Sequence, residues 1–217
     1  MLRVRLLGQF SLELNDNPIE LPSRPAQSLL AYLILNAGIA QRREKVAGLL
    51  WPESTEANAR SNLRHALWRL RKALETSPQT GREYLDADDI TIAFDASSDY
   101  WLDAAILDRK ADERWSADDL IEAVSVYQGE LLPGFYDEWV TLERERLQAV
   151  FERKMQLLLE RLVEAGRWSE VLEWGERWTA LGHTPEPAYR ALMVAHNGLG
   201  DLASAAAVYQ RCVQALR

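Results

Sequence analysis

The chain has one cysteine, Cys212, and three histidines, His65, His183 and His196, among its 217 residues. A lone thiol excludes an internal disulfide framework and a cysteine-based zinc site, and it fits a reducing compartment. The histidines are scattered without partners at ligand spacing, and no glycine-rich phosphate loop occurs, so neither metal nor cofactor is expected. Long apolar runs are missing too. The longest, Leu29 to Leu35, stops at Asn36, well short of the ~20 residues that cross a bilayer. Gly8, Gln9 and Glu13 break the N-terminal stretch into strand-like alternation, which rules out a signal peptide there. These absences predict a soluble cytoplasmic protein with no membrane contact. Acid pairs such as Asp118-Asp119 fall at helix starts, where the helix dipole accounts for them. No catalytic constellation is left, and an enzyme is not expected.

What is present is apolar mass and an uneven charge. Hydrophobic residues make up 47% of the chain and tryptophan occurs eight times, enough to bury cores and to exclude global disorder. The net charge of -8 argues at first against nucleic acid. Its distribution reverses that. Between Gln41 and Lys72 stand Arg42, Arg43, Lys45, Arg60, Arg64, Arg69, Arg71 and Lys72, against only Glu44, Glu53 and Glu56. The acidic excess lies from Asp99 onward. A basic segment in an acidic chain marks two binding tasks.

Along the first third, Val4, Leu6, Phe10, Leu12 and Leu14 alternate with polar residues, and Asn15-Asp16-Asn17-Pro18 signals a turn. Pro22-Ser23-Arg24-Pro25 opens a first helix, with Ser as cap and Pro in the first turn. Leu29, Leu30, Leu33 and Ile34 line one side of it. A second helix is expected from about Arg42 to Leu50, stopped by Trp51-Pro52. A third starts after Ser54-Thr55, reaches about Glu75 and ends at Thr76-Ser77-Pro78. Tyr84 to Phe94 then reads as a β-hairpin turning at Ala87-Asp88-Asp89. Strands, three helices and a hairpin make a winged helix-turn-helix with an extra N-terminal β-sheet, assigned to residues 1–96.

From Asp95 onward the pattern turns helical, giving an all-α second domain over residues 97–217. Helices are expected at Trp101–Lys110, Ala117–Tyr127, Trp139–Ala165, Trp168–Leu181, Pro187–Leu199 and Asp201–Leu216, with a break at Leu132-Pro133-Gly134-Phe135. Ala165-Gly166-Arg167-Trp168 aligns with Leu199-Gly200-Asp201-Leu202 at an offset of about 34 residues, the length of a tetratricopeptide unit. That offset places Leu158 on Leu192, Val171 on Ala205, Leu172 on Ala206, Trp174 on Val208 and Trp178 on Cys212. A tetratricopeptide-like stack with a concave groove is expected; an irregular helical bundle is the alternative. The chain ends inside its last helix without a Gly or Asn cap, which predicts truncation of a longer protein.

The third helix carries the chemistry. At ~100° per residue, Leu63, Ala66, Leu67, Leu70 and Leu74 form one apolar stripe. The opposite face shows Asn58, Ser61, His65, Trp68 and Lys72, flanked by Arg64 and Arg69. A helix fits the major groove of DNA, and Arg, Asn and Ser suit base edges there. Arg42 and Arg43 open the second helix beside free backbone amides, a natural phosphate clamp, with ordinary solvation as the alternative. Arg24 has the same position on the first helix. Trp68 is the odd member of the polar face. It suits contact with sugars or thymine methyls, and equally cover for the base of the wing or a neighbouring protomer.

The motif Leu63-x-x-x-Leu67-x-Arg69-Leu70-Arg71-Lys72-x-Leu74, with Leu49-Leu50-Trp51 before it and a hairpin after it, resembles the OmpR-type winged helix. The opening Val4-Arg5-Leu6-Leu7-Gly8-Gln9-Phe10 narrows the resemblance, as do Tyr127-Gln128-Gly129-Glu130-Leu131-Leu132-Pro133-Gly134-Phe135, Glu138-Trp139 and Glu143-Arg144-Glu145-Arg146-Leu147. Together they resemble the bacterial transcriptional activator domain of Streptomyces antibiotic regulatory proteins (SARP type), over nearly the whole chain. The resemblance implies a sequence-specific activator that binds double-stranded DNA at direct repeats near a promoter's −35 element. It further implies self-association head to tail on DNA, and recruitment of RNA polymerase or its sigma factor. By position it implies that Asn62, Arg64, His65 and Arg69 face bases and that Arg42, Arg43, Arg60 and Lys72 hold phosphates. Ser61 and Trp68 become DNA or protomer contacts, and the loop Pro52 to Ala57 becomes the polymerase contact. Two departures stand out. Asp86, Asp88 and Asp89 place acid on the wing, and Trp68 occupies a position that is commonly basic or polar. A protein-interaction scaffold, with a purely structural winged helix and partner-binding repeats, is the alternative reading.

Overall fold

Leu2, Val4, Leu12 and Leu14 all turn inward because strand side chains alternate between faces. Strands β1 (Leu2–Arg5) and β2 (Ser11–Leu14) pair antiparallel, Leu2 opposite Leu14 and Val4 opposite Leu12. The turn after β2 holds Asn15 and Asp16 at φ of 50° and 62°, a region that Asn and Asp tolerate better than most residues. On the outer face Arg5 meets Glu13 at 2.7 Å. The computed structural model describes residues 1–74, 84–111, 115–182 and 185–215. The expected helix end at Thr76-Ser77-Pro78, His183 and the last two residues lie outside them.

The sheet continues with β3 (Asn17–Pro18) beyond β2 and, on the other side of β1, a parallel strand β7 (Tyr100–Leu102), in the order β3-β2-β1-β7. This corrects the expected helix over Trp101–Lys110. Its first residues form a strand, with Arg3 opposite Trp101 and Val4 opposite Leu102, and only α4 (Asp103–Asp108) is helical. Tyr100 and Trp101 are of types that favour strands, and β1 supplies the partner they pair with. Asp103, at the junction, is buried and accepts backbone N–H bonds from Leu6, Leu7 and Ala104 at 2.7–3.0 Å. Burial nonetheless pushes its carboxyl above the ordinary range.

Helix α1 (Arg24–Leu35) buries Leu29, Leu30, Leu33 and Ile34, as its periodicity requires. Ser23 occupies the N-cap position, but its hydroxyl makes no capping bond; only its carbonyl accepts from the Gln27 amide. Then come β4 (Gln41–Arg42), α2 (Arg43–Leu50) and α3 (Glu56–Leu74). The hairpin of β5 (Leu85–Ala87) and β6 (Thr91–Phe94) joins β4 in a second sheet of order β4-β6-β5. Gly38 sits at φ +79°, letting its amide reach the Phe94 carbonyl at 2.9 Å. This is a winged helix with an additional N-terminal sheet.

Two compact units divide the chain. One comprises 1–105 with 130–144, the other 106–129 with 145–217. The first extends past residue 96 because β7 lies in its sheet and because segment 130–144 is bonded to it. Leu7 bridges Leu131, and the Gly8 amide meets the Glu130 carbonyl at 2.9 Å.

The second unit is helical. Helix α5 (Ala117–Ser125) starts with a capping box in which Ser116 and Asp119 satisfy each other's amides. Helix α6 (Glu138–Glu164) supplies Phe151, which stacks on Tyr127 with ring centroids 4.0 Å apart. Helices α7 (Trp168–Ala180), α8 (Glu186–Gly198) and α9 (Leu202–Ala215) pack in succession. A Cβ on Gly175 would lie 2.8 Å from Leu192, so glycine there sets how closely α7 approaches α8. The expected repeat register holds at Leu158 with Leu192, Trp174 with Val208 and Trp178 with Cys212, all buried. It weakens at Leu172 with Ala206, half-buried and exposed respectively.

Candidate nucleic-acid interface

Helix α3 has two unlike faces. Ala59, Leu63, Ala66, Leu67, Leu70 and Leu74 are buried, Leu70 completely. Burying a leucine contributes about 1.5–3 kcal/mol, so this stripe fixes the rotation of the helix about its axis. The far face is thereby obliged to meet solvent. Arg64, His65, Trp68, Arg69 and Lys72 are exposed there, while Ser61 and Asn62 are half-buried at its flank. Among the described residues no hydrogen bond or ion pair holds Arg64, His65 or Arg69. They are hydrogen-bond donors with no partner among the described residues.

Trp68 is 59% exposed. The Lys72 ammonium, one turn on, lies 5.2 Å from its ring centroid, a cation–π distance.

The supposed phosphate contacts divide into two kinds. Arg42 is exposed, in β4, and Lys72 lies over the Trp68 ring. Arg43 is engaged with the wing: its guanidinium donates to the Asp88 carbonyl at 2.7 Å and its amide to the Ile90 carbonyl at 3.0 Å. Arg60 crosses to Glu44 of α2 at 2.9 Å and also pairs with Glu56 one turn earlier on its own helix. The start of α2, the outer side of α3 and the wing turn are thus tied together through Arg43 and Arg60. The Glu56–Arg60 pair was readable from its four-residue spacing. The Glu44 contact had no such signal, since it depends on how α2 meets α3.

The wing's acids have an explanation in part. The Asp88 carboxylate accepts from the Ile90 and Thr91 amides at 2.7 and 2.6 Å, and these bonds hold it below the usual carboxylate range. It closes the turn of the hairpin, as Asx turns do. Asp86, Asp89 and Ile90 are exposed around it. Among the described residues no cluster of three His, Cys, Asp or Glu is placed to hold a metal ion, and no helix is long and apolar enough to cross a membrane.

A basic helix seated on leucines, braced by a preceding helix and a hairpin, and joined to a unit of stacked helices, defines a winged-helix protein with a helical-repeat partner unit. The chain belongs to the bacterial transcriptional activator domain family, whose profile matches residues 101–217, more than half of its length. This is the family that the motifs at Tyr127–Phe135 and Glu143–Leu147 resemble. The fold is similar to that of Mycobacterium tuberculosis EmbR, solved in complex with a low-affinity phosphopeptide. The TM-score is 0.74 at 20% sequence identity, over 97% of this chain and 58% of that one. The chain therefore spans little more than half the length of that structure. No curated protein matches it.

Proposed function

We propose that this chain is a sequence-specific DNA-binding transcription activator whose helix α3 enters the major groove. The observation that carries the reading is the basic face of α3: Arg64, His65 and Arg69 are exposed and have no partner among the described residues, on a helix locked by buried leucines. Asn62 lies at the flank of that face and completes the base-reading set. Arg42 and Lys72 hold phosphates directly. Arg43 and Arg60 are anchored by the wing and by Glu44 and Glu56, so they contribute charge and shape more than flexible phosphate contacts. The exposed loop from Pro52 to Ala57 offers a surface to RNA polymerase or its sigma factor, and the helical unit mediates contact between copies on neighbouring repeats. The family membership supports the activator role; the direct-repeat operator follows from the resemblance.

Selection from randomised duplex DNA tests this. Enrichment of a short element, recurring as a direct repeat at one helical-turn spacing, is the expected outcome. If no sequence is enriched, the winged helix is structural and the protein is an interaction scaffold. That second reading draws on the exposed Leu199, Leu202 and Tyr209 of the helical unit.

A further inference from the structure

We propose that Trp68 reads the 5-methyl group of a thymine in the operator, with Lys72 holding its ring in place. The proposal rests on the DNA-binding reading above. Ser61, Arg64, His65, Trp68 and Lys72 recur at three- and four-residue intervals and so follow one line along α3. Trp68 stands near the middle of that line. It is 59% exposed although α3 has a fully apolar face where an indole would have been buried. The Lys72 ammonium lies 5.2 Å from the ring centroid, and the indole keeps most of its surface open to solvent.

The floor of the major groove offers hydrogen-bonding atoms that match the arginines and Asn62, and the thymine methyl as its apolar group. An indole carries one N–H donor and no acceptor. It is therefore poorly suited to reading polar edges and well suited to covering a methyl. The surroundings argue against a second copy docking through the same face. Arg64 and Lys72 stand one turn before and one turn after Trp68 on the helix, Arg69 follows it directly, and all three are exposed, so two such faces brought together would set cation against cation.

The test pairs a deletion on the DNA with one on the protein. Each thymine of a selected site is replaced in turn by deoxyuridine, which removes only the methyl. Affinities are measured for wild type, Trp68→Ala and Arg69→Ala, with thermal unfolding to establish that each variant folds. For wild type, one thymine per bound copy is expected to lose about fourfold in affinity without its methyl, the effect of one buried carbon. Trp68→Ala should bind more weakly and be indifferent to that methyl. Arg69→Ala should bind more weakly and still feel it. Sequence-specific binding with no methyl effect at any position, or a methyl effect that survives in Trp68→Ala, overturns the proposal while leaving DNA recognition intact. Failure of wild type to select any sequence removes the DNA-binding reading and this proposal with it.

Discussion

Arginine is used in opposite ways in the helical unit and on the outer face of α3. In the helical unit Arg109 pairs with Glu122, Arg146 with Asp108, Arg161 with Glu164 and Arg211 with Glu176, at 2.8–3.4 Å. Arg167 binds Asp118 at 2.8 Å and also Glu170. Arg177 reaches the Ser125 carbonyl at 3.1 Å. On the outer face of α3, Arg64 and Arg69 have no such partner among the described residues. The same side chain thus serves internal cohesion in one region and is held in reserve in the other. Overall charge concealed this: a chain of net charge -8 still presents a cationic helix, because its acids are distributed elsewhere or, like Glu44 and Glu56, gathered on Arg60.

The contrast can be tested from both sides. The largest effect should come from the hidden face of α3. Leu70→Ala removes a completely buried side chain and should cost about 2–5 kcal/mol, seen as a lower midpoint in denaturant titration. A cost under ~1 kcal/mol would mean that the helix is not seated as described.

Next is Lys154, a cation of the helical unit with no carboxylate in bonding distance among the described residues. It is buried, donates to the Arg109 carbonyl at 2.6 Å, and lies 4.6 Å from the Trp115 ring. Burial lowers its pKa from 10.5 to about 8. Between those values the unfolded chain binds the extra proton, so stability should rise as pH climbs from 8 toward 10.5. The gain is at most about 3 kcal/mol. Lys154→Met should abolish the rise, and a rise of equal size in the variant would assign it to other groups.

Arg167→Ala should be milder. It breaks partly exposed ion pairs, which are worth about 1 kcal/mol or less, and it should leave DNA affinity untouched. Smallest of all, Glu56→Gln should tighten DNA binding by about twofold at low salt by freeing part of the Arg60 charge. Weaker binding would show that Glu56 orients Arg60 for the duplex.

Much of this was legible in the residues. The leucine spacing of α3, the proline-opened α1 and the Asp88 hairpin are local signals, and local signals survive folding. The 34-residue offset in the repeats survived at Trp174 and Trp178, whose bulk must be buried. What stayed hidden depends on distant partners. Tyr100–Leu102 is too short to show an alternating pattern of its own, and its partner β1 lies almost a hundred residues away in sequence. Asp103 was unremarkable until Leu6 and Leu7 supplied their amides. The ties of Arg43 to the Asp88 carbonyl and of Arg60 to Glu44 stayed hidden because no spacing rule places those partners beside them.

The most direct test of the DNA-binding face compares Arg69→Ala with Arg190→Ala, an exposed arginine of the helical unit, in gel-shift titrations on a selected site and its single base-pair variants. Arg69→Ala should weaken binding about tenfold and relax the preference at the base pair it reads, with Arg190→Ala matching wild type. Equal affinity and unchanged base preference for Arg69→Ala and wild type would contradict it.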